Sequence, residues 1–244
     1  MAAVRIGTAG WTIPRIHASA IQGKGSHLER YSARFSCTEI NSTFYRPSRE
    51  STWLRWAASV PEDFRFAVKA PKAVTHEAGL ELTEESTATL RGFLEQVRLL
   101  GAKLGPLLFQ LPPKQPFDPD RAHIFFAHLR TLYGGAAVIE PRHPTWFSSK
   151  AESLLSRYSI SRVAADPAPV PEAFVPGACK AMTYYRLHGS PRKYYSDYTY
   201  QWLKNLAAEV QSRPAGTDTW VIFDNTASGA AAGNALMLLD ILAG

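Results

Sequence analysis

Apolar and polar positions alternate with two distinct periods along the chain. Eight short runs rich in β-branched, aromatic and aliphatic residues, at 4–7, 38–40, 65–69, 107–111, 136–140, 162–166, 183–188 and 219–224, have the length and two-residue period of strands. The segments between them change to helical spacing. Leu90, Phe93, Leu94, Val97 and Leu100 share one helical face, and so do Trp202, Leu206 and Val210. Asp118-Pro119 supplies a cap and a first-turn proline ahead of Phe125, Leu129 and Leu132, and Ser149 to Glu152 has capping-box spacing before Leu154, Leu155 and Tyr158. The stretches 22–26 and 166–177 read as loops.

Strand followed by helix, eight times over, predicts parallel strands joined by crossover helices. An open doubly wound sheet has the same local pattern. Gly7-Thr8-Ala9-Gly10-Trp11, however, lacks the third glycine and the helix of a dinucleotide fold, so a closed (β/α)8 barrel of the TIM type is expected. The length of 244 residues suits one barrel, and residues 1–244 are expected to form a single domain.

In strands of this kind parity decides which side chains meet the helices. One register collects Ile40, Phe66, Val68, Phe109, Ile139, Val163, Leu187 and Phe223, which fits the helix-packed outside. The other collects Glu39, Lys69, Gln110, Glu140, Asp166, Arg186 with His188, and Asp224, nearly all at or next to the carboxyl end of a strand. Barrel sites are built from such ends, so a functional site is expected at that mouth. The competing reading is a network of ion pairs that only neutralises itself.

Composition narrows the class further. An apolar fraction of 45% with 20% charged residues permits a full core. The cysteines, Cys37 and Cys179, are far apart and in no metal-binding spacing, which favours buried thiols in a reducing compartment. The chain enters Val4-Arg5-Ile6-Gly7 without a secretory pattern, and no stretch approaches the roughly 20 apolar residues of a membrane span, so a cytoplasmic protein without a membrane partner is expected. The formal charge of +6 favours acidic partners weakly, because the basic residues are scattered.

Several blocks carry a resemblance. Ile6-Gly7-Thr8-Ala9-Gly10-Trp11, Glu39-Ile40-Asn41-Ser42-Thr43-Phe44-Tyr45, Phe64 to Pro71 with Thr75-His76, Leu108-Phe109-Gln110-Leu111-Pro112-Pro113, Glu140-Pro141-Arg142-His143-Pro144 with Trp146, Arg186-Leu187-His188-Gly189 and Asn234-Ala235 occur in this order. Together they resemble the domain of unknown function 72, or YecE-like, family. The resemblance runs from residue 4 to about 240 and implies a barrel of the triosephosphate isomerase type with no established activity. The chain departs from the family's pattern at Ile13 to Ala18, at Pro141 and at Asp224-Asn225.

Two functions are carried forward. The first is a hydrolase or lyase acting on a phosphorylated or otherwise anionic substrate. Glu39, Glu140, His143, Asp166, His188 and Asp224 then supply acid, base or metal ligands, and Trp11, Asn41, Thr43, Tyr45, Lys69, His76, Gln110, Arg142, Arg186 and Asn225 contact substrate. A divalent metal is left open, since the carboxylates suit one but no ligand spacing requires it. The second is a nucleic-acid-binding module, or a nuclease of the endonuclease IV type, using Tyr184, Tyr185, Tyr194, Tyr195, Tyr198, Tyr200 and Trp202 with Arg186, Arg192 and Lys193. The sequence leaves the oligomeric state open.

Overall fold

The structure, a computed structural model, describes residues 4–244. It is a mixed α/β fold in which β-strands β1 (Val4–Thr8), β2 (Cys37–Ile40), β3 (Arg65–Lys69), β4 (Leu104–Gln110) and β5 (Ala137–Glu140) are followed in turn by helices α1 (His27–Ser32), α2 (Glu50–Ala58), α3 (Glu84–Val97), α4 (Pro119–Leu132) and α5 (Ser149–Arg157). The expected sixth strand is two pieces, β6 (Ile160–Arg162) and β7 (Ala164–Asp166), with Val163 between them. A two-residue strand β8 (Gly177–Ala178) follows. Then come β9 (Met182–Leu187), α6 (Tyr200–Gln211), β10 (Asp218–Phe223) and α7 (Ala230–Ala243). The crossover after β7 carries only a short 3-10 turn, Pro171–Phe174, so one repeat lacks the α-helix that strict alternation predicts.

Backbone pairing forms two sheets. One has the order β1-β10-β9-β7 and the other β2-β3-β4-β5-β6-β8, all parallel except β8 on β6. The ring of eight strands expected from the sequence is therefore not one continuous ladder. At one junction β6 runs straight into β7, with Val163 donating its amide to Ile139. At the other, β1 and β2 touch without a regular ladder. The Tyr31 hydroxyl, from α1, accepts from the Thr8 amide at 2.7 Å and donates to the Cys37 carbonyl at 3.0 Å, standing where a strand-to-strand bond would. Beyond it Gly10 donates to the Glu39 carbonyl at 2.8 Å, and Thr38 Oγ1 bonds the Thr8 and Gly10 carbonyls. A Cβ on Gly7 would sit 2.0 Å from the Cys37 carbonyl oxygen, so only glycine permits this approach.

Burial follows strand parity. Ile40, Phe66, Val68, Phe109, Ile139, Leu187 and Phe223 pack with helix residues such as Trp53, Leu94, Phe125 and Leu206 in the large core. Cys37, Ala67, Leu108, Val138, Ala165, Tyr184, Trp220 and Ile222 form a second, smaller cluster between the strands, in which Tyr184 and Trp220 stack at 6.0 Å. Val163 belongs to this inner cluster and not to the outer register: Val163 and Ala165 face inward while Ile160 and Ala164 face the helices, one residue out of step with the expected parity. The same register puts Asp166, two residues after Ala164, on the outer side.

Local signals explain most helix starts. Asp118 caps α4 by accepting from the Asp120 and Arg121 amides, both at 3.1 Å. The cap of α5 is Ser148 instead of Ser149, which places Ala151 at the third helical position and Glu152 one residue beyond a capping box; the Glu152 carboxylate pairs with Arg162. Among the described residues no helix is long and apolar enough to cross a membrane.

Candidate functional site

At the carboxyl ends of β2, β5, β9 and β10 lies one connected polar network. Its centre is Arg186, whose guanidinium is sealed from solvent at 1% side-chain exposure. Nε and Nη2 donate to the Glu39 carboxylate at 3.0 and 2.7 Å, Nη1 donates to Glu140 at 2.5 Å, and Nη2 reaches Asp224 at 3.1 Å. Glu39 also accepts from the Tyr184 hydroxyl at 2.8 Å. Each buried carboxylate thus meets a donor, without which burying it would be prohibitive.

His188 lies two residues beyond Arg186 on the same face. Its Nδ1 stands 2.8 Å from Asp224 Oδ2, an acceptor, so Nδ1 carries the proton in that bond. Nε2 stands between Glu140 Oε1 at 2.9 Å and the Arg142 guanidinium at 2.7 Å. The first partner accepts and the second donates, so Nε2 has a partner whether or not it is protonated. Arg142 pairs with Glu140 as well.

Electrostatics separates the members. Burial alone would raise the Glu140 carboxyl, but Arg142, Arg186 and His188 outweigh it and hold that carboxyl well below the usual range. Asp224 is likewise held low, Arg186 and His188 overcoming its burial. For Arg186 burial opposes the charge, and the three carboxylates more than restore it. Lys69 is different. Burial, reinforced by Arg186, brings its ammonium down to about 8 against the opposing pull of Glu39, Glu140 and Asp224. Its Nζ lies 4.0 Å from the Phe44 ring centroid, and among the described residues no carboxylate oxygen comes within ion-pair distance of it.

The sequence-derived set therefore divides. Glu39, Glu140, Arg186, His188, Asp224 and Arg142 are brought into one network, with Lys69 beside it and Gln110 paired in register with Glu140. Asp166 is turned away and accepts from the Tyr198 hydroxyl at 2.6 Å. His143 caps the turn Pro144–Phe147 through Nδ1, 3.0 Å from the Thr145 hydroxyl. Thr43 bonds the Lys69 carbonyl at 2.7 Å, which fixes the strand end instead of facing the mouth. Trp11 packs edge-on to Trp56 of α2 at 5.2 Å. Tyr45 is 81% exposed, and His76 packs edge-on to Phe44 at 4.9 Å. Asn41 leaves its side-chain oxygen buried without a partner among the described residues. Asn225 is buried and donates to the Ser196 carbonyl and to Asn234, which also holds the Tyr198 backbone; the Asn234-Ala235 block therefore braces the loop after β9.

Tyr184, Lys193 and Tyr194 belong to the neighbourhood without having been assigned to it. Tyr184 could have been read from parity, two residues before Arg186. Lys193 and Tyr194 lie on the loop after β9, where no period applies. Tyr194 sits edge-on over the His188 ring at 5.8 Å and holds a left-handed backbone at φ +70°, its amide bonded to the His188 carbonyl. The aromatic cluster itself splits. Tyr184, Tyr185 and Tyr198 are buried, whereas Tyr194, Tyr195 and Tyr200 are exposed, with Arg192 over the Tyr195 ring at 3.9 Å.

Among the described residues no three His, Cys, Asp or Glu side chains gather as a metal-holding group. The reason is local: the Arg186 guanidinium fills the point where Glu39, Glu140 and Asp224 converge.

Parallel strands with a sealed ion-pair network at their carboxyl ends define the class, an α/β protein with a strand-end polar site. Within that class the chain belongs to the family described as Protein of unknown function DUF72, which matches residues 5–244. UPF0759 protein YecE of Escherichia coli K12 is 29% identical over 173 residues, 68% of this chain; the matched stretch spans 60% of that relative's length. UPF0759 protein YunF of Bacillus subtilis 168 is 27% identical over an alignment of 277 positions, covering 98% of this chain and 94% of that protein. The crystal structures of DUF72 family proteins from Enterococcus faecalis V583 (22% identity, TM-score 0.79, 100% and 99% of the two chains) and Thermotoga maritima MSB8 (24%, 0.77, 99% and 99%) share the fold.

Proposed function

We propose that the protein is an enzyme that moves a proton on a small anionic substrate, as a hydrolase or lyase does, with Asp224 and His188 as its acid–base pair. The arrangement of His188 carries this reading. Asp224 fixes the ring's tautomer, and Nε2 faces one donor and one acceptor, so the ring can take up or give up a proton without rotating. Arg186 is not the anion clamp in this reading, because its donors already serve three carboxylates. Arg142 and Lys193 take that part. The charges of Arg142, Glu140, Arg186 and Asp224 act on Lys193, and the Arg142 Nε has no partner among the described residues. His188 is wholly buried, so a substrate must displace the Tyr194 ring to reach it.

The site rests on an inferred frame in which the two sheets form one closed eight-stranded barrel and one domain. The continuity of β6 with β7 and the Tyr31, Gly10 and Thr38 bonds between β1 and β2 support it. The nucleic-acid reading has less support, since three of the tyrosines it needs are core residues.

Thermal-shift and calorimetric titration with inorganic phosphate, sulfate and oxalate test the reading, together with turnover of a panel of phosphorylated and carboxylated small molecules followed by mass spectrometry. Wild-type protein is expected to bind at least one anion and to convert at least one panel member. Arg142→Met should weaken binding, and His188→Gln should abolish turnover while the anion still binds. Failure of every anion to bind would overturn the proposal, and so would equal turnover by His188→Gln.

A further inference from the structure

The polar residues of the mouth differ sharply in what an incoming molecule can touch. Glu39, Glu140, Arg186 and His188 have 1% exposure or less, whereas Lys69 is only partly buried. It occupies the last position of β3 with Ala67, an inner-cluster residue, two positions before it. Its amine leans on the Phe44 ring at 4.0 Å and has no carboxylate at ion-pair distance among the described residues, although three carboxylates lie in the same mouth. Those three are held by Arg186, which both occupies the lysine's natural partners and adds a positive charge nearby. A lysine placed beside another cation and an apolar face, and open on one side, is an amine arranged to be neutral and nucleophilic.

We propose that Lys69 is a covalent catalytic residue that forms a reversible imine with a carbonyl-bearing anionic substrate, a 2-oxo acid or a phosphorylated ketone or aldehyde. This deepens the proton-transfer reading and rests on it. The lone pair of the neutral amine attacks the carbonyl carbon, and the C–N bond forms as the C=O π bond opens. The oxygen takes up protons and leaves as one water, giving a protonated C=N bond. No oxidant or reductant is involved. The imine draws electrons from the adjacent carbon, whose proton or substituent then departs, and His188 is the acid–base group facing the same mouth. Arg142 and Lys193 hold the carboxylate or phosphate.

The ammonium, brought down to about 8, leaves roughly a tenth of Lys69 neutral at pH 7, against well under one part in a thousand for an ordinary lysine. Phe44 shields one side, leaving attack to the other.

Incubation with pyruvate, or with dihydroxyacetone phosphate, followed by borohydride reduction and peptide mapping, tests this. Lys69 is expected to be labelled at least about ten-fold faster than exposed lysines such as Lys24, which follows from its larger neutral fraction. The labelling rate should rise through about pH 8, and excess phosphate should suppress it. Lys69→Met should lose the label and keep its fold by circular dichroism. If that variant fails to fold, the site-resolved rate on wild-type protein decides alone. Labelling of Lys69 no faster than of Lys24 overturns the imine. Should that occur while anions bind and His188→Gln abolishes turnover, the acid–base reading stands and only the covalent step falls.

Discussion

Arg186 satisfies three carboxylates with one guanidinium, and the cost of removing it follows from what remains. Arg186→Met would leave Glu39, Glu140 and Asp224 buried together without their common cation, and breaking such a network costs about 3–5 kcal/mol. Urea denaturation should register that loss, and a change under about 1 kcal/mol would show that water already compensates these groups. The same residues set the acid limit. Glu140 and Asp224 are held low when folded, while their unfolded counterparts titrate near 4.3 and 3.9, so the unfolded chain binds more protons as pH falls. Their contribution is present above about pH 5 and is lost below it. Stability measured from pH 7 to pH 3 is expected to stay level to about pH 5 and then drop, and an increase on acidification would contradict the assignment. These residues were legible in the sequence because strand parity and position at a strand's end are local properties. Asp166 was misplaced by the same logic: the strand alternates without a break in phase, but Val163, Ala164 and Ala165 are all small and apolar, so their pattern does not say which face is inward.

At the scale of elements, the junction of β1 and β2 depends on Gly7 and Tyr31. Gly7→Ala would drive a methyl group into the Cys37 carbonyl, an overpacking that costs roughly 1–3 kcal/mol. Tyr31→Phe would leave the buried Thr8 amide without its acceptor, a loss of about 1–3 kcal/mol. The midpoint of thermal unfolding should fall in both variants, and an unchanged midpoint in both would mean that the junction bears no strain. Helix positions were readable from apolar spacing and from Asp118-Pro119, whereas α5 starts one residue earlier than its spacing suggested, at the Ser148 cap, and Glu152 pairs with the distant Arg162. A pairing between side chains on separate elements has no signature in a short window.

For the whole molecule, the continuity of β6 into β7 and the side-chain seam between β1 and β2 tie the two sheets at both edges. Unfolding is therefore expected as one cooperative transition, with fluorescence of the tryptophans and far-ultraviolet dichroism giving the same midpoint. Two separated transitions would show that the sheets are independent. The loop after β9 depends on equally distant contacts. Asn234 on α7 fastens Tyr198 and Asn225, and that loop carries Lys193 and Tyr194 to the network.

The sequence by itself determined the alternation of strands and helices, the family and most of the polar set, because periodicity, caps and motif order lie within a few residues of one another. Tertiary structure decided which of those polar residues are already committed. Arg186 became the hub, His143 a turn cap and Asp166 a partner of Tyr198, while Lys69 remained open beside the network. The physical reason is that a charged group's role depends on which opposite charges and donors reach it in space, and those partners lie as many as 147 residues apart along the chain.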